Sequence, residues 1–229
     1  MKKLLSVLII SFSTLLFAQE AKENKWILKL NASQLADDFS FPTVMVAAER
    51  MINPYFSVSA EAGIQVYDTS KIDSTMINSS GFKANFEGRF YFSKFFNRSA
   101  TPKRNQQFIT IQFFQRKNQT TDILRYYPSS DDLNNELLTD YFGVKKRVLG
   151  VNLIMGNQIS ILKSKKVILE PYFGIGYMNR KIENTDLQFD EAKHEVQLGN
   201  HDFFRNRSLE KGSGDFLNLL IGFRIGYKL

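Results

Sequence analysis

Long runs of strict alternation between apolar and polar residues constrain this chain more than any other feature. In Phe56–Tyr67, Phe56, Val58, Ala60, Ala62, Ile64 and Val66 stand on one side, and Ser57, Ser59, Glu61, Gly63 and Gln65 on the other. A helix would scatter those two sets around its axis. A strand, whose successive side chains point to opposite faces, separates them cleanly. Phe82–Phe92 repeats the pattern, with Phe82, Ala84, Phe86, Phe90 and Phe92 against Lys83, Asn85, Glu87, Arg89 and Tyr91. Eight segments carry it in all: 25–32, 43–52, 56–67, 82–92, 107–116, 148–158, 166–178 and 216–229. Pro171 falls inside the seventh and removes a ladder hydrogen bond, which predicts a bulge or a shifted register there.

The connections sort by parity. Those at 53–55, 93–105 and 159–165 average shorter, with 93–105 no shorter than 68–80, whereas 118–143 and 180–214 are the longest, and 68–80, 118–143 and 180–214 are more polar. An up-and-down barrel with tight turns at one rim and free loops at the other produces this alternation, and a soluble sandwich has no reason to. An apolar band of ~25 Å crossed at ~40° needs about ten residues per strand, which 56–67 and 82–92 supply. Trp26, Phe92 and Tyr227 fall at the short-turn boundary of that band, and Tyr177 at the other. The expected fold class is therefore all-β, an eight-stranded antiparallel up-and-down transmembrane β-barrel. The mean hydropathy of −0.24 does not oppose this, because lipid-facing residues alternate with polar ones and the average cancels.

The first eighteen residues, MKKLLSVLIISFSTLLFA, read as a secretory signal peptide. Lys2 and Lys3 precede an apolar stretch from Leu4 to Phe17, and Ala18 is a small residue suited to cleavage before Gln19. The apolar run is too short for a spanning helix. Residues 19–229 then form the single barrel domain. Loss of the two leader lysines leaves 28 basic and 23 acidic side chains, a net charge of +5. Export and the dispersal of those charges argue against a nucleic-acid partner. With no cysteine in the chain, stability has to come from the core or the membrane and not from disulfides.

The export signal, the eight alternating strands and the final "LLIGFRIGYKL" together resemble the small outer-membrane β-barrel families of diderm bacteria. The resemblance implies an outer-membrane location, outer-membrane lipid as surroundings and recognition by the barrel assembly machinery during insertion. Phe223, Ile225, Tyr227 and Leu229 occupy the positions of the assembly signal, with Leu229 where phenylalanine is commoner. It names no activity.

The polar face carries a second expectation. Lys29, Glu49, Glu61, Glu87, Arg89, Glu170 and Arg224 all lie a few residues from the short-turn end of their strands. Equal rise and tilt place them at similar depth, and a barrel of eight strands is narrow enough for them to meet. The expectation is a buried ion-pair layer that plugs the lumen, Arg89 and Arg224 forking between carboxylates. Four acids against three bases leave one carboxylate under-compensated. Glycines 63, 88, 150, 174, 176, 222 and 226 are expected to make room for long side chains or ease strand curvature.

No catalytic, cofactor or metal constellation stands out, and a monomeric structural or surface-interaction role through loops 118–143 and 180–214 is the leading expectation. His194 and His201 keep open a lipid-modifying hydrolase, which also requires a nucleophile. The lysines and arginines at 94, 98, 103, 104, 163, 165 and 166 fall in the short turns. A soluble periplasmic barrel binding a hydrophobic ligand remains the third reading, with every face reversed.

Overall fold

The structure, a computed structural model, describes residues 26–37, 40–66, 76–92, 105–128, 137–161, 164–190, 194–196 and 212–229. The leader segment 1–18, His201, Lys94, Arg98, Lys103, Arg104 and Lys163 lie outside the described residues. Eight long strands and one short one form a single antiparallel sheet. They are β1 (Trp26–Asn31), β2 (Thr43–Met51), β3 (Phe56–Gln65), β4 (Met76–Phe90), β5 (Asn105–Tyr127), β6 (Leu138–Ser160), β7 (Val167–Thr185), the two-residue β8 (Glu195–Val196) and β9 (Gly212–Lys228). A short 3-10 turn, Ala32–Ala36, leads out of β1.

Each long strand pairs with two neighbours. The ladder runs from β1 through β2, β3, β4, β5, β6 and β7 to β9, which pairs again with β1. The β1–β9 seam is short, because β9 pairs with β1 only over Arg224–Lys228 and its Gly212–Phe223 stretch has no strand ladder on that flank. One register row runs Leu28, Ala48, Ala60, Phe86, Phe113, Val151, Tyr177, Leu217. Leu28 itself, however, pairs with Tyr227, ten residues beyond Leu217. The sheet therefore meets its own start with a ten-residue stagger.

Face assignments follow the period of two throughout. Glu49, Glu61, Glu87, Glu170, Asn152 and Arg224 are buried, while Phe86, Phe113, Leu153, Phe173 and Ile221 are exposed, Ile221 at 84%. Over this part of the strands the apolar side chains face outward and the charges inward, the reverse of what the ligand-binding soluble alternative requires.

Three expectations need correction. Segment 118–143 is not a free loop, because Asn118–Tyr127 continues β5 and Leu138–Gly143 belongs to β6, paired as far as Tyr126 with Leu138. Arg180–Thr185 likewise extends β7 into the proposed loop 180–214, and Met76–Ser80 extends β4 into 68–80. In the β5 and β6 extensions Leu124, Tyr126 and Phe142 turn inward, the reverse of the rest of each strand, so the outward apolar run breaks off although backbone pairing persists. Pro171 causes no register shift. Pairing of β6 with β7 lapses between Gly156–Tyr172 and Ile159–Leu169 and resumes in the same register, and the β7–β9 ladder is continuous through Pro171–Phe223. Gly88 faces outward with nothing near the position of a Cβ, so it makes room for no lumen side chain.

Candidate functional site

The enclosed space between the strands is filled by charge. The seven residues from β1, β2, β3, β4, β7 and β9 that strand arithmetic places at one depth come into contact there. Lys29 Nζ reaches Glu49 Oε2 at 2.5 Å and also contacts Glu170. Arg89 bridges Glu87, Glu170 at 2.9 Å and Glu49 at 3.3 Å. Arg224 forks between Glu87 Oε1 at 2.5 Å and Glu170 Oε1 at 3.0 Å, with Glu61 Oε2 at 3.4 Å. All of these side chains are at most 1% exposed.

Taking such groups out of water carries a desolvation cost of several kcal/mol per ion, which only good geometry and further hydrogen bonds offset. Both are present. Every oxygen of the four carboxylates accepts at least one bond. The Ser57 and Tyr91 hydroxyls donate to Glu49, Gln112 Nε2 to Glu87 at 2.7 Å, and Asn31 and Asn85 amides to Glu61 at 2.9 and 2.7 Å. The carboxylate left with the weakest ionic partner is Glu61, whose amide donors stand in for a second cation. Phe108 and Tyr172 stack under Arg89 and Arg224 at 4.7 and 4.5 Å, a favourable use of guanidinium faces.

Sequence reasoning missed this polar surround. Its most ordered part is a relay across three strands: Asn218 Nδ2 donates to Asn152 Oδ1 and Asn152 Nδ2 to Gln112 Oε1, each at 2.7 Å. Asn152 and Asn218 are not on neighbouring strands. Gly176 of β7 lies between them in register, and a Cβ there would collide with Asn152 Oδ1. The signal was present as an inward glycine flanked in register by two inward amides.

The first outer connection is folded over this layer. Lys83 Nζ holds it by donating to Asp37 Oδ2 at 2.7 Å, Gln34 Oε1 at 2.8 Å and the Phe41 carbonyl at 2.8 Å. Ser33 Oγ donates to Asn31 Oδ1 at 2.8 Å, and Ser33 lies against Gly222, where a side chain would displace it. The opening toward the long connections is thus covered by chain from between β1 and β2.

Beyond that cover the polarity of the enclosed face changes. Leu124, Tyr126, Phe142, Val144 and Ile182 form a buried apolar cluster, packed by Leu187 and Phe189. His194 belongs to it. Its ring stacks on Tyr126 at 4.7 Å, and Nδ1 accepts from the Asp190 amide at 3.1 Å. Among the described residues no group of three His, Cys, Asp or Glu is placed to hold a metal ion. Phe223, Ile225 and Tyr227 share the outward face of β9, Leu229 follows its last residue and is exposed, and Lys166 Nζ lies 5.7 Å from the centre of the Tyr227 ring. Trp26 is similarly covered by Arg50 at 5.4 Å.

No protein-family model, curated protein or solved structure matches this chain.

Proposed function

We propose that the chain is an integral outer-membrane protein, a closed barrel of eight strands whose lumen is plugged by the ion-pair layer. Its work is structural or interactional and proceeds through the β5–β6 projection beyond the membrane. A stagger of ten residues at ~3.3 Å rise, spread over eight strands ~4.8 Å apart, corresponds to a strand tilt of about 40°, within the range of transmembrane barrels. At that tilt the outward apolar run of β7 from Val167 to Tyr177 spans about 25 Å of hydrocarbon.

One observation carries this reading: polarity is inverted only within the band. There the outward side is apolar and the inward side is charged. Farther along the same strands Leu124, Phe142, Val144 and Ile182 turn apolar surface inward, while Arg125, Arg147 and Lys181 turn outward. A protein wholly in water gains nothing by presenting Phe113, Leu153 and Ile221 to solvent. One crossing from hydrocarbon into water accounts for both halves. The leader at 1–18 provides the export route, and the filled lumen supports a role other than open-pore conduction.

The test uses spin labels on the refolded chain in lipid vesicles. Labels at Val58 and Ile64 are expected to collide with oxygen dissolved in the acyl region, and a label at Ser59 is expected to be shielded from both oxygen and aqueous quencher. Water exposure at Val58 and Ile64 would overturn the proposal. Planar-bilayer recordings are expected to show no steady conductance, and a stable open channel would remove the plug from it.

A further inference from the structure

Immediately beyond the apolar band, one sector of the outward face is strongly cationic. Lys117 of β5, Arg147 of β6 and Lys181 of β7 are consecutive partners in one register row, and all three are exposed. Lys145 stands one outward step farther along β6, beside Gln119. Like charges placed directly opposite across strands destabilise a sheet, so this arrangement favours a bound anion. Within these two rows on β5, β6 and β7 the only carboxylate is Glu183, and Lys181 holds it at 2.7 Å. The ammonium of Lys181, by hydrogen bond and by charge, and more weakly the charges of Arg147 and Lys145, keep the Glu183 carboxyl below its usual range, so a single carboxylate stands among the four cations of these rows.

The same sector is concave. A cleft of about 440 Å³ runs between Phe82, Lys117, Gln119, Lys145 and Arg147. Phe82 lines it beside its register partner Lys117, and outside the cleft Leu149 stands one outward step nearer the band than Arg147. Cations above and hydrocarbon-facing side chains below match the two halves of an amphiphile with an anionic head. From β5 to β7 the row covers two strand spacings, about 10 Å, wide enough for a pair of phosphate groups. Among the described residues at that end, the outward faces of β1, β2 and β3 carry no comparable run of cations, and Val44 and Ile64 stand there.

We infer that Lys117, Arg147 and Lys145, with Lys181 at the flank, bind the phosphates of a phosphorylated lipid headgroup in the outer leaflet. This rests on the membrane reading above. Each lysine or arginine at a membrane surface contributes roughly a fivefold gain for anionic lipid, and the clustering adds selectivity for a headgroup bearing more than one phosphate.

The experiment titrates the full chain, refolded in zwitterionic detergent-free nanodiscs of phosphatidylcholine, with diphosphorylated lipid A as the probe. Bound lipid is read by native mass spectrometry. Parallel arms use phosphatidylglycerol and inorganic phosphate. The variant is K117Q/R147Q, and K166Q at the opposite rim is the control. Lipid A is expected to bind the parent chain and K166Q alike, more tightly than phosphatidylglycerol, and about thirtyfold more weakly to K117Q/R147Q. Equal binding by K117Q/R147Q would overturn the inference, and so would inorganic phosphate binding as tightly as lipid A. Flotation of the parent chain with phosphatidylcholine vesicles reads the membrane proposal separately, so failure of one is distinguishable from failure of the other.

Discussion

Glu170 and Arg224 are direct register partners across β7 and β9 and also a buried ion pair at 3.0 Å. Backbone pairing and charge pairing therefore specify the same alignment, and a two-residue slip along either strand would leave both charges without their partners. Because Glu170 also takes Lys29 and Arg89, it is the hub on which three strands other than its own depend.

Glu170→Gln removes the anion shared by three cations. It is expected to cost about 3–5 kcal/mol, as for breaking a buried pair by deleting one partner. Urea unfolding of the refolded protein, followed by tryptophan fluorescence at Trp26, measures it. A change below ~1 kcal/mol would mean that the layer does not support the fold.

Glu61→Gln should behave differently. Glu61 accepts from Asn31 and Asn85, and its ion-pair partner among the described residues, Arg224, stands at 3.4 Å. A glutamine oxygen keeps one of those two amide bonds, and one cation at 3.4 Å loses its anion where Glu170→Gln strands three, so its cost is expected to be less than that of Glu170→Gln under the same conditions. Equal costs would contradict the ranking of these carboxylates by contact.

Gly176→Ala should sever the Asn152–Asn218 bond. The new Cβ meets Asn152 Oδ1 and the backbone of Val151 and Asn152, which cannot easily give way. A loss of about 1–3 kcal/mol is expected from the overpacking. Gly88→Ala, facing outward into open space, is the comparison and should fall within about 0.5 kcal/mol of the parent.

Leu153→Arg and Thr139→Arg separate the band from the projection. Both side chains are exposed, but only Leu153 lies within the apolar band. In a bilayer Leu153→Arg should cost about 2–4 kcal/mol and Thr139→Arg about 0–1. If Leu153→Arg instead improved solubility in buffer without loss of stability, the band would be facing water.

Phe142→Ala empties the upper apolar cluster and should cost about 3–5 kcal/mol of local stability. Hydrogen exchange is expected to rise in Asn118–Tyr127 and Leu138–Val144, with amides beside Glu87 and Glu170 unchanged. Uniform acceleration would show that projection and ion layer unfold as one unit.

What sequence alone determined here is facing. A strand has a side-chain period of two, so once Phe56 and Val58 share a side, Ser57, Ser59 and Glu61 must share the other, whatever the strand packs against. The seven charged residues of the inner layer were legible on that basis, since depth follows from counting along strands. Only the tertiary structure decided which charges meet, because contact across the interior depends on the ten-residue stagger that brings β9 back to β1. It also decided where strands stop. In Lys117–Tyr127 and Leu138–Arg147 the apolar side chains Leu124, Tyr126, Phe142 and Val144 turn inward and the outer face is mostly polar, the reverse of the rest of each strand, so the outward apolar run that marks these strands elsewhere breaks off there. Backbone hydrogen bonding, which every residue but proline supports equally, carries the hairpin on.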